Sequence, residues 1–295
     1  MFNKLNLLYR FILLPLIMVV CFSACKKNTD QGETISKPAL PDTTLFNLSY
    51  GSNQRQVFDL YLPENRDTTT PIIIMIHGGA WKAGQKEDLN SYFNLLKLKW
   101  PQAAIANTNY RLASNDQNIH HDQIIEDLNS LMNHLNDKKQ FYGISNKTGI
   151  MGASAGGQLA MIYAYKYNTS VKCVANIFGP SIINDWSWYN STNLWLGGYT
   201  GNILAEYVGQ SWDSLVYKSV SPYWQVKSTS APTILFHGNL DPIVPVYQSQ
   251  WLNGKLNVLG VNHQYHEYIA FHGFDNNQSD DVMNKLVAFF KTHLK

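Results

Sequence analysis

Residues 148–157 read Thr148-Gly149-Ile150-Met151-Gly152-Ala153-Ser154-Ala155-Gly156-Gly157. A short apolar run enters the small-residue stretch and a helix-like pattern leaves it, so the segment reads as strand, sharp turn, helix. The five residues centred on Ser154 match G-x-S-x-G. The requirement is steric. A serine at the tip of such a turn holds a strained backbone, and side chains two residues before or after it would collide, so Gly152 and Gly156 are needed there. The helix beneath offers free N–H groups and the positive end of its dipole. A plain turn tightening a strand–helix joint would read the same way. A nucleophilic role for Ser154 therefore needs an oxyanion loop, an acid and a histidine elsewhere in the chain.

Outward from this stretch, strands are expected at 45–50, 56–62, 71–77, 103–107, 171–178, 232–238 and 264–271. Helices are expected at 86–98, 119–135, 155–167, 246–257 and 280–293. The first two strands alternate in polarity around Gly51-Ser52-Asn53 and read as an antiparallel hairpin at a sheet edge. Residues 71–77 (PIIIMIH) are a continuous β-branched run, which suits a strand buried on both faces. The 86–98 helix carries Leu89, Tyr92, Phe93, Leu96 and Leu98; the 119–135 helix carries Ile124, Ile125, Leu128, Leu131, Met132 and Leu135. Strands alternating with helices predict an α/β class: a mainly parallel sheet with helices on both faces. Such a sheet presents functional side chains at the carboxyl ends of its strands.

Three strand ends carry the required chemistry. His77-Gly78-Gly79-Ala80-Trp81 closes 71–77; its glycines let backbone N–H groups approach a ligand. Gly79 and Ala80, with the N–H of Ala155, are the expected oxyanion donors, and Trp81 is a candidate pocket wall. His77 precedes the turn and reads as a brace for the loop rather than a base. Asp241, in Gly238-Asn239-Leu240-Asp241-Pro242, follows 232–238 and can hold a histidine in one tautomer. Asp185, Glu267 and Asp275 compete, but none has so favourable a strand-end position. His272 follows 264–271 beside Gly273 and can reach across the strand ends; His263 and His266 lie at or within the strand. His120-His121-Asp122 looks metal-like without a partner cluster and reads as a solvated helix start, so no metal site is expected.

Together these segments resemble the α/β-hydrolase superfamily, over roughly residues 45–295. The nearest branch is the carboxylesterases similar to hormone-sensitive lipase and to bacterial feruloyl/acetyl esterases. Ala80 stands where the H-G-G-G form has its third glycine, which leaves the N–H usable. The resemblance implies an α/β-hydrolase fold with an aromatic cap insert. It also implies a Ser154–Asp241–His272 triad that hydrolyses short or aromatic acyl esters, including those of carbohydrates, without a cofactor. An arylformamidase-like amidase, a peptidase and a non-catalytic binding module are the alternatives on the same scaffold. The insert, 181–224, holds five of the eight tryptophans. Its rings either pack into a small core of their own or line a substrate pocket, with Trp186 and Trp188 as the candidates for the latter.

Residues 1–24 stand apart. Lys4 and Arg10 precede an apolar run at 11–20 that is short for a membrane span. Phe22-Ser23-Ala24-Cys25 follows, similar to a bacterial lipoprotein signal in which Cys25 becomes the acylated first residue. Residues 25–44 read as a polar tether. The expectation is an exported protein held to a bacterial membrane by lipid alone, facing the periplasm or the cell surface. Removing 1–24 leaves 21 basic and 21 acidic residues, a balance that points to no nucleic-acid partner. No pattern sets an oligomeric state.

Overall fold

The computed structural model describes residues 40–168 and 170–295. The signal segment and Cys25 lie outside the described residues. In chain order the first strands are β1 (Thr43–Ser49), β2 (Val57–Leu62), β3 (Ile72–Ile76), β4 (Ala104–Thr108), β5 (Thr148–Ala153) and β6 (Cys173–Ile177). A small separate pair, β7 (Thr192–Asn193) and β8 (Gly198–Tyr199), precedes β9 (Thr233–Gly238) and β10 (His263–Tyr268). The main sheet runs β1-β2-β4-β3-β5-β6-β9-β10. β1, β2 and β4 pair antiparallel and every other neighbour is parallel. The fold is that of the α/β hydrolases. β1 begins inside the segment read as tether, and Leu40 and Pro41 are already tied by their carbonyls to Asn65 and Arg66.

β3 shows why the sequence reads as it does. Ile72, Ile74 and Ile76 enter one core, with α2 (His121–Asp137), α4 (Ala155–Ile162) and α9 (Tyr247–Val258). Ile73 and Met75 enter the other, with α1 (Asn90–Lys99) and α10 (Asn276–His293). Side chains alternate across a strand, so a strand covered on both faces must be apolar throughout. The remaining short helix before the serine is α3 (Lys139–Tyr142).

Two expectations shift. Leu98 is exposed, because two residues beyond Leu96 carry it about 200° round the helix, away from the core. The last helix starts at Asn276, four residues before the expected 280. Asp275 accepts from Gln278 N–H at 2.8 Å while the Gln278 side chain accepts from Asp275 N–H at 3.2 Å. This reciprocal cap fixes the chain immediately after His272.

The insert between β6 and β9 contains α5 (Trp186–Tyr189), β7, a 3-10 turn at Leu194–Leu196, β8, α6 (Thr200–Val208), α7 (Ser214–Ser219) and α8 (Pro222–Gln225). Tyr189, Trp212 and Tyr217 pack ring on ring at 4.8–5.6 Å between centroids, so part of the aromatic content is indeed the insert's own core.

Candidate active site

Ser154 ends β5 and starts α4 with φ 54°, a left-handed conformation that a serine adopts only when its surroundings impose it. Its N–H donates to Ile177 O at 2.9 Å, tying the turn to β6. The flanking glycines are required by close backbone approach. A Cβ on Gly152 would lie 2.1 Å from Gly156 O, and one on Gly156 would lie 2.1 Å from Ile76 O. A Cβ on Gly157 would lie equally close to Asn176 Oδ1.

The Ser154 hydroxyl donates to His272 Nε2 at 2.8 Å, and His272 Nδ1–H donates to Asp241 Oδ2 at 2.6 Å. Phe178, at the end of β6, packs on the imidazole with centroids 4.7 Å apart. Asp241 Oδ1 accepts from the N–H groups of Ile243 and Val244 at 2.8 and 3.0 Å. Burial alone would push this carboxyl up. The hydrogen bonds from His237 and His272 outweigh burial and hold it well below the usual carboxylate range. His237 is a partner the sequence reading missed. Its Nε2 lies 3.3 Å from Asp241 Oδ2 and donates to Val244 O, while Ser249 Oγ–H donates to Nδ1 at 2.6 Å. The competing acids have local duties: Asp185 caps α5, Glu267 accepts from Gln250 and Tyr265, and Asp275 caps α10.

The loop after β3 is left-handed at three consecutive residues, Gly79 (φ 102°), Ala80 (φ 50°) and Trp81 (φ 61°). Neither Gly79 N–H nor Ala80 N–H finds an acceptor among the described residues. Ala155 is the first residue of α4, so its N–H precedes the first intrahelical bond. Arg55 Nη2 donates to His77 Nε2 at 3.2 Å, and His77 Nδ1–H donates to Gly78 O at 2.6 Å. Burial pushes the His77 pKa down to about 4, so the ring is neutral and serves the loop as a brace.

A family model described as BD-FAE matches residues 58–256. The chain belongs to the BD-FAE family. This BD-FAE chain is 25% identical over 235 residues to an isoprenylcysteine alpha-carbonyl methylesterase of Arabidopsis thaliana, covering 72% of this chain and 52% of that protein. It is 23% identical over 244 residues to esterase LipC of Mycobacterium tuberculosis, covering 77% and 59%. The chain thus spans little more than half the length of these relatives. A solved structure, a truncated carbohydrate esterase from gut microbiota, superposes with a TM-score of 0.69 at 21% identity, over 84% of this chain and 96% of that one.

A cleft of about 600 Å³ opens above Ser154 in this BD-FAE chain, between the loop after β3 and the insert; Trp195, Tyr199, Asn202 and Ile203 line its outer wall. The three ring candidates divide between the cavities at the serine and the insert's own core. Trp186 stacks on Tyr189, meets Trp212 edge to face and lines none of the cavities at the serine, because the insert's own core holds that face. Trp81 and Trp188 are buried beneath the main cleft, and both line one small notch beside Ser154. Trp195 stands in the cleft wall instead, its signal being the Gly197-Gly198 pair that turns the chain next to it. Gln158 was not singled out either. Its Oε1 accepts from Trp81 Nε1–H and Tyr207 O–H, both at 2.9 Å, and its Nε2 donates to Val220 O. The His120-His121 pair binds protein: His120 meets Glu206 O, and His121 lies between Tyr207 and Tyr167 hydroxyls at 2.6 and 2.9 Å.

Proposed function

We propose that this protein is a serine carboxylic-ester hydrolase acting through an acyl-enzyme. One observation carries the reading: the unbroken hydrogen-bond relay Ser154–His272–Asp241 beside N–H groups of Gly79, Ala80 and Ala155 that make no bond within the sheet or loop. Ser154 Oγ attacks the ester carbonyl while His272 Nε2 takes its proton. Asp241 keeps Nδ1 protonated and stabilises the imidazolium. The three N–H groups receive the developing oxyanion, and loss of one such donor costs about 2.7–4 kcal/mol of barrier lowering. The imidazolium then protonates the leaving alkoxide, giving the free alcohol and Ser154 acylated on Oγ. Water attacks that ester with His272 as base again, releasing the acid and restoring the serine. Esterase relatives and the carbohydrate-esterase neighbour support small-molecule or carbohydrate esters as the substrate class. Ser154→Ala is expected to remove p-nitrophenyl acetate hydrolysis and fluorophosphonate labelling while leaving the circular dichroism spectrum intact. Turnover surviving in that variant would overturn the assignment.

The proposal extends to location. Residues 1–24 act as an export signal, and Cys25 carries a lipid that tethers the hydrolase domain, 45–295, to a bacterial membrane. Support comes from the sequence alone: basic start, apolar run, then Ser23-Ala24-Cys25. Palmitate incorporated by the wild type and lost in Cys25→Ser is the expected result; equal labelling of both would sink it.

A further inference from the structure

The two oxygens of Asp241 have different partners. Oδ1 accepts from the N–H groups of Ile243 and Val244, which fix the carboxylate to its own turn. Oδ2 faces two imidazoles. His272 Nδ1–H reaches it at 2.6 Å, and His237 Nε2 lies 3.3 Å away. The side chains of His237 and Asp241 are both wholly shielded from solvent. His237 belongs to β9, and the acyl-transfer steps make no use of it.

The surroundings of His237 decide where its hydrogen sits. Nε2 has Val244 O at 3.0 Å and Asp241 Oδ2 at 3.3 Å, and both oxygens only accept. Nε2 therefore carries the hydrogen and shares it between them. Nδ1 is left to accept, and Ser249 Oγ–H on α9 donates to it at 2.6 Å. A second proton on the ring would not remove Nε2–H, because a serine hydroxyl accepts as well as donates. Of the elements packed here, β10 contributes Glu267, opposite His237 in register and engaged by Tyr265 and Gln250. On α9, Lys255 is drawn off to Tyr223 O. Asp275, three residues after His272, caps α10.

When His272 takes the serine proton, an imidazolium stands beside a buried carboxylate. Burial pushes the Asp241 carboxyl up, and the hydrogen bond from His237 is the largest influence drawing it back down. A donor on Oδ2 withdraws charge from the very oxygen that His272 Nδ1–H faces. We infer that His237, oriented by Ser249, is a positioning residue of the triad: its Nε2–H on Asp241 Oδ2 keeps the shared proton on His272 Nδ1 and limits how tightly the imidazolium holds its other proton, at Nε2. The inference rests on the Ser154–His272–Asp241 reading. Without the His237 donor, Asp241 over-stabilises the imidazolium, and His272 stays protonated, unable to act as base, up to a higher pH.

The test is kcat/KM for p-nitrophenyl acetate as a function of pH in wild type, His237→Leu and His237→Gln. The glutamine Nε2–H takes the place of the imidazole Nε2–H; leucine offers no donor. The acid limb of the profile reports the free enzyme's essential base. His237→Leu is expected to move that limb up by about 0.5 pH unit or more, which is about a 3-fold loss of kcat/KM on the acid side beyond any loss at the plateau. His237→Gln is expected to bring the limb back. A merely structural role would lower the plateau and leave the limb in place. An unmoved limb in His237→Leu that still labels with a fluorophosphonate overturns the inference, and so does a limb shifted equally in His237→Gln. Should His237→Leu not fold, nitrogen NMR of wild-type protein with isotopically labelled histidine decides the matter, the His237 signals being those lost in His237→Gln. A protonated Nε2 on His237 is expected; a bare Nε2 with the hydrogen on Nδ1 overturns the inference. Wild-type protein that neither labels nor cleaves the ester removes the hydrolase reading instead, so the two failures are distinct.

Discussion

At the scale of single residues, Gln158 holds more of the site than its place in the sequence suggests. One buried amide oxygen receives the indole N–H of Trp81, from the loop after β3, and the hydroxyl of Tyr207, from the insert. Trp81 and Tyr207 also stack, with centroids 4.2 Å apart. Gln158→Leu is similar in volume but accepts nothing, so it strands two buried donors at about 1–3 kcal/mol each. Urea unfolding should show a loss of about 2–6 kcal/mol. In the folded fraction, kcat for acetate should fall by up to about 10²-fold as the loop donors lose their placement, with KM changing less. Unchanged stability would count against the tie. Ser154, Gly152 and Gly156 could be read from sequence because the constraint on them is local: a turn this tight excludes side chains on either side. Gln158 could not, since its partners come from residues 77 and 49 positions away along the chain. His237 is a similar case; it sits in the same strand-end segment as Asp241, but its geometry toward Asp241 depends on how the turn between them folds.

At the scale of elements, each parallel strand and its helix follow from period. β3 could be placed because five consecutive apolar residues cannot face water on either side. The α2 stripe is buried as its spacing requires, with Met132 at its margin. The insert is where period stops helping. Its helices are mostly single turns, too short for a repeat to show which face is inside. That is why Trp186 and Trp195 were not distinguishable: both are exposed tryptophans in an aromatic segment, and only packing puts one on Tyr189 and the other over the serine. The insert also contacts the loop after β3 from outside, since Lys82 pairs with Glu206 on α6 just beyond the Trp81–Tyr207 stack.

At the scale of the whole molecule, two buried histidines link stability to pH. Burial lowers the His77 pKa to about 4 and the His121 pKa to about 3, against an ordinary value near 6.5. Below pH 6.5 the unfolded chain takes up protons that these folded rings refuse. Their contribution to stability is therefore complete above about pH 6.5 and declines as pH falls toward 4. Each histidine can add a slope of up to about 1.4 kcal/mol per pH unit within that window. Asp241, held low, works in the same direction at more acid pH: its contribution is present above about pH 4 and lost as its folded carboxyl protonates. Urea midpoints measured at pH 7, 5.5 and 4.5 should fall steadily. His121→Gln should be less stable at pH 7 but show a shallower decline. A midpoint flat from pH 7 to 4.5 would refute the linkage.

By itself the sequence determined what depends on neighbours along the chain. The strained serine and its glycines, the apolar run of β3, the strand-end positions of Gly79, Asp241 and His272, and the α/β order all follow from local sterics and from periods of 2 and 3.6. Tertiary structure alone decided which of those strand ends meet. Ser154 and His272 lie 118 residues apart and come within hydrogen-bond reach only because β5 and β10 share one twisted sheet. The tertiary structure also decided the size of the notch beside Ser154. A cavity is the difference between how several distant side chains fill space and the space available. Trp81, Trp188 and Leu204 come from three different segments, so no reading of any one of them contains that volume.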